Sequence, residues 1–275
     1  MLWLALAVIT VVAGCGQDSA APRAVSSTRL STAPAAGSAY AATSAASSSP
    51  PCAPPTIALD PGHNPVRIDS FDPVTGAAQI DYPNGAEDHD VFAVAQQVRN
   101  TLVGNGYRVV LLKQSVDQSV TYRERVGRAE RAGAVLALSI HTSPGVNAVF
   151  PQRVGLYREG VGPNGTVTRI TFTTESTARA SERASQRVAV ARTAAEGHPV
   201  AVTDNDFGGR APLWSGNIPI ISLISTRVPW VYNEYSAQGR GGSLALTPAD
   251  ISAYAAGLAD GVRSAVPLNA GCPAG

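Results

Sequence analysis

A single α/β domain, with a mostly parallel central sheet flanked by helices, is the fold this sequence predicts. Two observations carry that expectation. Short apolar runs of strand length alternate along the chain with longer stripes at helical spacing, the pattern of strands joined by crossover helices. Two of those runs lead into a histidine, and in an open parallel sheet the carboxyl ends of the strands border the ligand crevice. Composition agrees. Hydrophobic residues make up 44% of the chain, enough for a sizeable core, and a net charge of +1 gives no electrostatic pull toward nucleic acid.

The elements follow in order. Residues 2–12 form an apolar run too short to span a bilayer of ~30 Å as a helix, which marks an export signal. The run ends in Val12-Ala13-Gly14-Cys15, which resembles the lipobox of bacterial lipoproteins. That resemblance implies that residues 1–15 are a lipoprotein signal peptide and that Cys15 is acylated. No Lys or Arg precedes Leu2, so the natural start is expected further upstream. Residues 16–55 are rich in Ala, Ser, Thr and Pro and nearly free of large apolar side chains. Such a segment cannot bury enough surface to offset its ordering entropy and reads as a disordered tether. On flexible-chain scaling it reaches roughly 35 Å or more.

Composition then changes sharply. Residues 56–60 read as a buried strand, broken by Pro61-Gly62, and a polar loop is expected up to Gly85. Val91, Val94, Ala95, Val98 and Leu102 form a helical stripe stopped by Gly104 and Gly106. Residues 107–112 are a second strand, 120–132 an Arg/Glu-rich helix ending at Gly133, and 134–140 a third strand without a polar residue until Ser139. Further strands are expected at 153–157 and 199–203, with β-like runs at 218–224 and 228–232. A helix is expected over 175–196, ended by Gly197. Thr247 caps a closing helix to about residue 265, with Pro248 at its first position. The domain thus spans 56–266, and 267–275 is a tail that carries Cys272. Cys52 and Cys272 flank it in a disulfide-permissive compartment, so a bond between them is expected. It would close a long loop, worth about 4–5 kcal/mol in the chain-entropy model.

The chain has 4 histidines. His63 follows the first strand and His141 ends the third, so both imidazoles reach one crevice, an arrangement that suits zinc. Hydrolytic zinc sites commonly take three protein ligands and leave one position open. Glu87 lies one helical turn before Val91 and continues the inward stripe, whereas His89 falls on the opposite side. Asp88 and Asp90 flank the stripe. Phasing therefore favours His63, Glu87 and His141 as ligands of one zinc per chain.

The run Asp60-Pro61-Gly62-His63, then Glu87 opening a helix, then Ser139-Ile140-His141, resembles the zinc-dependent N-acetylmuramoyl-L-alanine amidases of the amidase type 3 family. The resemblance covers residues 56–266 and is patchy beyond His141. It implies a phosphorylase/hydrolase-like α/β fold, one zinc, and cleavage of the lactyl-to-L-alanine amide of peptidoglycan. The family closes with a Pro followed five residues later by a catalytic Glu, usually as P-x-V-L-V-E-x-G. Here Pro219 leads to Ile224, whereas Pro229 leads to Glu234, so the second register makes Glu234 the general base. Asn233 stands where the family has an apolar residue, and Tyr235-Ser236 replaces the usual x-Gly. His198 and Arg210 are further polar residues near these motifs, with structural roles expected.

The expected protein is an exported, membrane-anchored monomer on the outer face of the cytoplasmic membrane, acting on peptidoglycan or muropeptides. A second reading is a non-catalytic lipoprotein that keeps the fold to bind wall fragments or to regulate another hydrolase. A third is a zinc hydrolase of a different amide in the stem peptide. The stretch 142–213 exceeds what the resemblance needs and is a candidate cover for the cleft.

Overall fold

The computed structural model describes residues 53–74, 78–152, 157–161, 167–171, 173–203, 220–237 and 245–269. Cys15, Cys52, Cys272, Arg210 and the tether up to residue 52 lie outside the described residues. Along the chain the elements are β1 (Thr56–Pro61), β2 (Ile68–Phe71), β3 (Ala78–Asp81), α1 (Ala86–Gly104), β4 (Arg108–Leu111), α2 (Tyr122–Arg131) and β5 (Ala134–Thr142). They continue with β6 (Ala148–Pro151), β7 (Tyr157–Val161), β8 (Val167–Thr171), α3 (Glu175–Glu196), β9 (Ala201–Val202), α4 (Ile220–Ile224), β10 (Trp230–Tyr235) and α5 (Pro248–Ala265). The central sheet has 6 strands in the order β4-β1-β5-β10-β6-β9. β4, β1, β5 and β10 run parallel, and β6 pairs antiparallel to β10. The mostly parallel α/β sheet flanked by helices is therefore the observed architecture.

Strand alternation splits the core in two. Ile57, Leu59, Leu136, Leu138 and Ile140 face α1, α3 and α5, where they meet Val94, Val98, Val188 and Leu258. Ala58, Ala137 and Trp230 face the other way, toward Val126 and Ala129 of α2 and Ile221 and Ile224 of α4. The second face is lined by small strand residues, and the Trp230 ring fills the space they leave.

Helix ends follow their capping residues. Thr121 accepts from the Glu124 amide at the start of α2, and Thr174 accepts from the Thr177 amide at the start of α3. α5 opens with Pro248 behind a reciprocal Thr247–Asp250 capping box. α3 ends at Gly197, whose φ of 74° lies in the left-handed region.

Several expectations change. The polar stretch before Gly85 is not all loop, because β2 and β3 pair within it as an antiparallel hairpin. The β-like run at 218–224 holds the short helix α4 instead. Ile221 and Ile224 lie one helical turn apart and both enter the core beside α2, a spacing that a short apolar run does not reveal. Of the strand expected at 153–157, only Tyr157 is described, as the first residue of β7. The sheet strand β6 lies earlier, at Ala148–Pro151. Within 142–213, α3 packs into the core through Ala184, Val188 and Ala189.

α3 and α5 approach closely because Gly257 and Gly261 offer no side chain. A Cβ on Gly261 would lie 2.7 Å from Val188 Cα, in rigid backbone. Gly261→Ala gains up to ~1 kcal/mol of helix propensity but incurs overpacking of about 1–3 kcal/mol, so net destabilisation is expected. Gly104, with no atom within 4 Å of its would-be Cβ, is the control. Urea denaturation should show a lower midpoint for Gly261→Ala and an unchanged or higher one for Gly104→Ala; equal midpoints contradict the packing account.

Candidate metal centre

The carboxyl ends of β1, β5 and β10 converge because these strands are neighbours and parallel, with Glu234 paired directly beside His141. Alternation does the rest. Trp230, Tyr232 and Glu234 share one face of β10, the face on which Ser139 and His141 leave β5.

The loop after β1 is held by buried cations. Arg125, with no exposed side chain, donates from Nη1 to Asp60 Oδ1 at 2.8 Å and to the Pro61 carbonyl at 2.9 Å, and from Nη2 to the His63 carbonyl at 2.6 Å. Lys113 Nζ donates to the same His63 carbonyl at 2.8 Å. The Ser139 hydroxyl donates to Asp60 Oδ2 at 2.7 Å and accepts from Trp230 Nε1 at 2.7 Å. Gly62 is required sterically, since a Cβ there would lie 2.3 Å from Cε1 of His141. The loop delivers His63 with a φ of 59°, the one described non-glycine residue in the left-handed region.

His63, Glu87 and His141 come together as the structure's candidate metal cluster among the described residues. His63 Nε2 lies 3.2 Å from Glu87 Oε1 and 3.3 Å from His141 Nδ1, and His141 Nδ1 lies 3.5 Å from Glu87 Oε1. A tetrahedral ion with ligand bonds of ~2.0–2.1 Å separates its donors by roughly 3.3–3.4 Å. The three donor atoms therefore already stand at the edges of such a tetrahedron, and the residues fit a metal. Glu87 is steadied by the Thr142 amide at 2.7 Å and by the Asn84 side chain.

The remaining polar residues divide cleanly. His89 is exposed. Asp88 accepts from the Asn84 amide at 3.0 Å and Asp90 from the Leu246 amide at 2.7 Å, so both bind backbone. His198 sits with Asn147, its Nδ1 2.9 Å from Asn147 Nδ2. Glu234 is buried beside the cluster, and its Oε2 has no hydrogen-bond partner. Ile224, the end of the rejected register, packs in the core. Tyr232, Arg192 and Asp81 escaped sequence reading. Tyr232 stacks on the His141 ring at 4.5 Å and hydrogen-bonds Glu234. Arg192 of α3 donates to the Glu234 carbonyl at 3.0 Å and lies 3.4 Å from Asn233 Oδ1. Asn233 Nδ2 reaches the Ser139 carbonyl at 3.1 Å, so the polar residue in an apolar position is fully bonded.

Electrostatics reflect this crowding. Burial alone would lower the His63 pKa, but hydrogen bonds that the imidazole donates to Asp81 and Glu87 override it and push it up to about 10. Burial alone would raise Glu87, yet both histidines hold it far below the usual carboxylate range. Burial lowers His141. Burial first, and then the Glu87 charge, raise Glu234 to about 8.

A family model described as N-acetylmuramoyl-L-alanine amidase matches residues 57–197, half of the chain. Among solved structures, the apo form of Ami1, an N-acetylmuramyl-L-alanine amidase from Mycobacterium abscessus, superposes with a TM-score of 0.53 at 16% identity, covering 78% of this chain and 100% of that one. Ami1 from Mycobacterium smegmatis gives 0.52 at 16%, covering 77% and 96%. The catalytic domain of CwlV from Bacillus (Paenibacillus) polymyxa var. colistinus gives 0.51 at 16%, covering 78% and 99%. At such identities the likeness establishes the fold. No curated protein matches the sequence.

His63 gives the metal-free protein a pH signature. Its folded pKa of about 10 lies above its ordinary 6.5, so the stabilisation is fully present below pH 6.5 and is lost as pH rises toward 10. Melting temperatures of the chelated protein should fall across that window. A divalent ion in the cluster should flatten the dependence, because a ligating Nε2 carries no proton to lose. A flat profile in chelator contradicts the assignment.

Proposed function

This chain belongs to the N-acetylmuramoyl-L-alanine amidase family, and from that membership we propose that it hydrolyses the amide joining the lactyl group of N-acetylmuramic acid to L-alanine in peptidoglycan, with one zinc held by His63, Glu87 and His141. The observation that carries the proposal is the tetrahedral spacing of three donor atoms beside a buried carboxylate oxygen without a partner.

When bound, zinc would supply Lewis acidity, polarising the amide carbonyl and acidifying the attacking water. The chain's own residues do the rest. Oε2 of Glu234 accepts the proton as water oxygen bonds to the carbonyl carbon. The carbon–nitrogen bond then breaks, and Glu234 returns that proton to the departing amine of L-alanine. The products are a lactyl carboxylate and a free amino terminus. Tyr232 holds Glu234 while stacked on His141. A cation in the cluster offsets the Glu87 charge that raises Glu234, which favours the base form. The non-catalytic reading rests on the divergent final motif. Against it, Asn233 is bonded within the fold, and the Ser236 hydroxyl accepts from the Gly145 amide at 2.9 Å.

The proposal also places the enzyme outside the cell, tethered by acylated Cys15 through residues 16–55, with Cys52 bonded to Cys272. Among the described residues no helix is long and apolar enough to cross a membrane. Cys15→Ser should move the protein from the membrane to the soluble fraction; unchanged fractionation rules the anchor out.

Elemental analysis should find one zinc per chain, lost in His141→Ala and kept in His89→Ala. Glu234→Gln should keep the zinc and the melting curve yet lose at least about a hundredfold in release of L-alanine amino termini from muropeptides, the scale of a general acid–base group. A Gln variant as active as wild type excludes Glu234 as the base. A zinc-loaded wild type that never cleaves favours the binding-protein reading.

A further inference from the structure

We infer that Asp81, on the β2–β3 hairpin, is the positioning residue that aims His63 at the metal: it accepts a hydrogen bond from the Nδ1 N–H and leaves the Nε2 lone pair directed into the cluster. The inference rests on the zinc reading above.

His63 needs such a partner. His141 leaves a strand and has Tyr232 stacked against its ring, so its direction is set. His63 sits on a loop at a φ of 59°, outside any strand or helix, so regular secondary structure does not set its ring direction. Either imidazole nitrogen can carry the proton, and the hydrogen bond made by one decides what the other does. Here Nδ1 lies 3.2 Å from Asp81 Oδ1, while Nε2 is the atom nearest Glu87 and His141.

Asp81 is built to hold still. It is buried, and Oδ1 also accepts from the Tyr82 amide at 2.9 Å. Oδ2 accepts from Asn64 Nδ2 at 2.5 Å, and Arg125 Nη2 lies 3.9 Å away. Asn64 is itself fixed, its Oδ1 accepting from the Val120 amide at 2.7 Å. The Tyr122 hydroxyl also bonds Asp81. A carboxylate with this many partners is a rigid acceptor, and an acceptor behind a ligating imidazole fixes its orientation and raises its basicity. The hairpin itself is tied to α2 by Arg123, whose Nε and Nη2 each reach an Asp72 oxygen at 2.6 Å.

The test compares zinc affinity by chelator competition in the full chain. Asp81→Asn should bind zinc 10–100-fold more weakly, the usual effect of removing such a partner, and cobalt loaded in its place should show an altered visible spectrum. Asp81→Glu should recover part of the affinity. Asp69→Asn, on the same hairpin but exposed and paired only with the exposed Arg67, should bind as wild type does. Long-range proton–nitrogen correlation spectra of the zinc-loaded wild type should place the His63 proton on Nδ1, a result that does not depend on any variant folding. Equal affinity in wild type and Asp81→Asn, or a His63 proton on Nε2, overturns the role of Asp81 and leaves the zinc reading standing. A wild type that binds no zinc overturns the zinc reading itself.

Discussion

The buried ion pair between Arg125 and Asp60 is the constraint on which the site depends. Burying a guanidinium costs several kcal/mol unless the charge and its donors are met. Here they are met by a carboxylate and by carbonyls of the loop that follows β1. The loop can therefore take only a shape that presents those carbonyls to Arg125, and that shape projects His63. The same Asp60 reaches Ser139, and Ser139 reaches Trp230, so one network fastens α2 to β1, β5 and β10. Those three strands carry or lead into His63, His141 and Glu234. A change in the network moves the donors relative to one another, not just one of them.

Given that clamp, the sheet sorts chemistry from packing. On one face β1 and β5 are aliphatic and meet α1, α3 and α5, and β10 adds Val231, Asn233 and Tyr235. The other begins with small residues and Trp230 and gives way, toward the carboxyl ends, to Ser139, His141, Tyr232 and Glu234. Glu87 enters from the first turn of α1, where a negative charge is favoured by the helix dipole. Arg192 reaches the site from behind. It bonds Asn233 and the Glu234 carbonyl and lies over the Tyr254 ring at 4.5 Å, so α3 supports the last strand. The departures from the family's closing motif thus come with their own partners. The added polar groups are satisfied inside the core, as buried polar groups must be.

Much of this was legible in the chain. The stripe from Val91 to Leu102 marked α1, and its phase distinguished Glu87 from His89, because a helix repeats its faces every 3.6 residues. Thr247, Pro248 and Asp250 marked the start of α5 through capping chemistry that is local by nature. The register from Pro229 to Glu234 needed only a count of residues. The β2–β3 hairpin and α4 were not legible. Their segments are too short for periodicity to separate strand, helix and loop, and both take their form from what they pack against.

The sequence by itself determined the order of the chemistry along the chain: which apolar runs lead into a histidine, which helical position carries the carboxylate, and where the final glutamate falls. These are properties of spacing, and spacing is local. Only the tertiary structure decided the donor separations near 3.2–3.5 Å, the unpartnered oxygen of Glu234, and the Asp81 carboxylate behind His63. Asp81 lies 18 residues from His63, and Arg125 donates to a carbonyl 62 residues away. No periodic pattern spans such gaps, because those contacts exist only once burial has forced each charged group to find its partner.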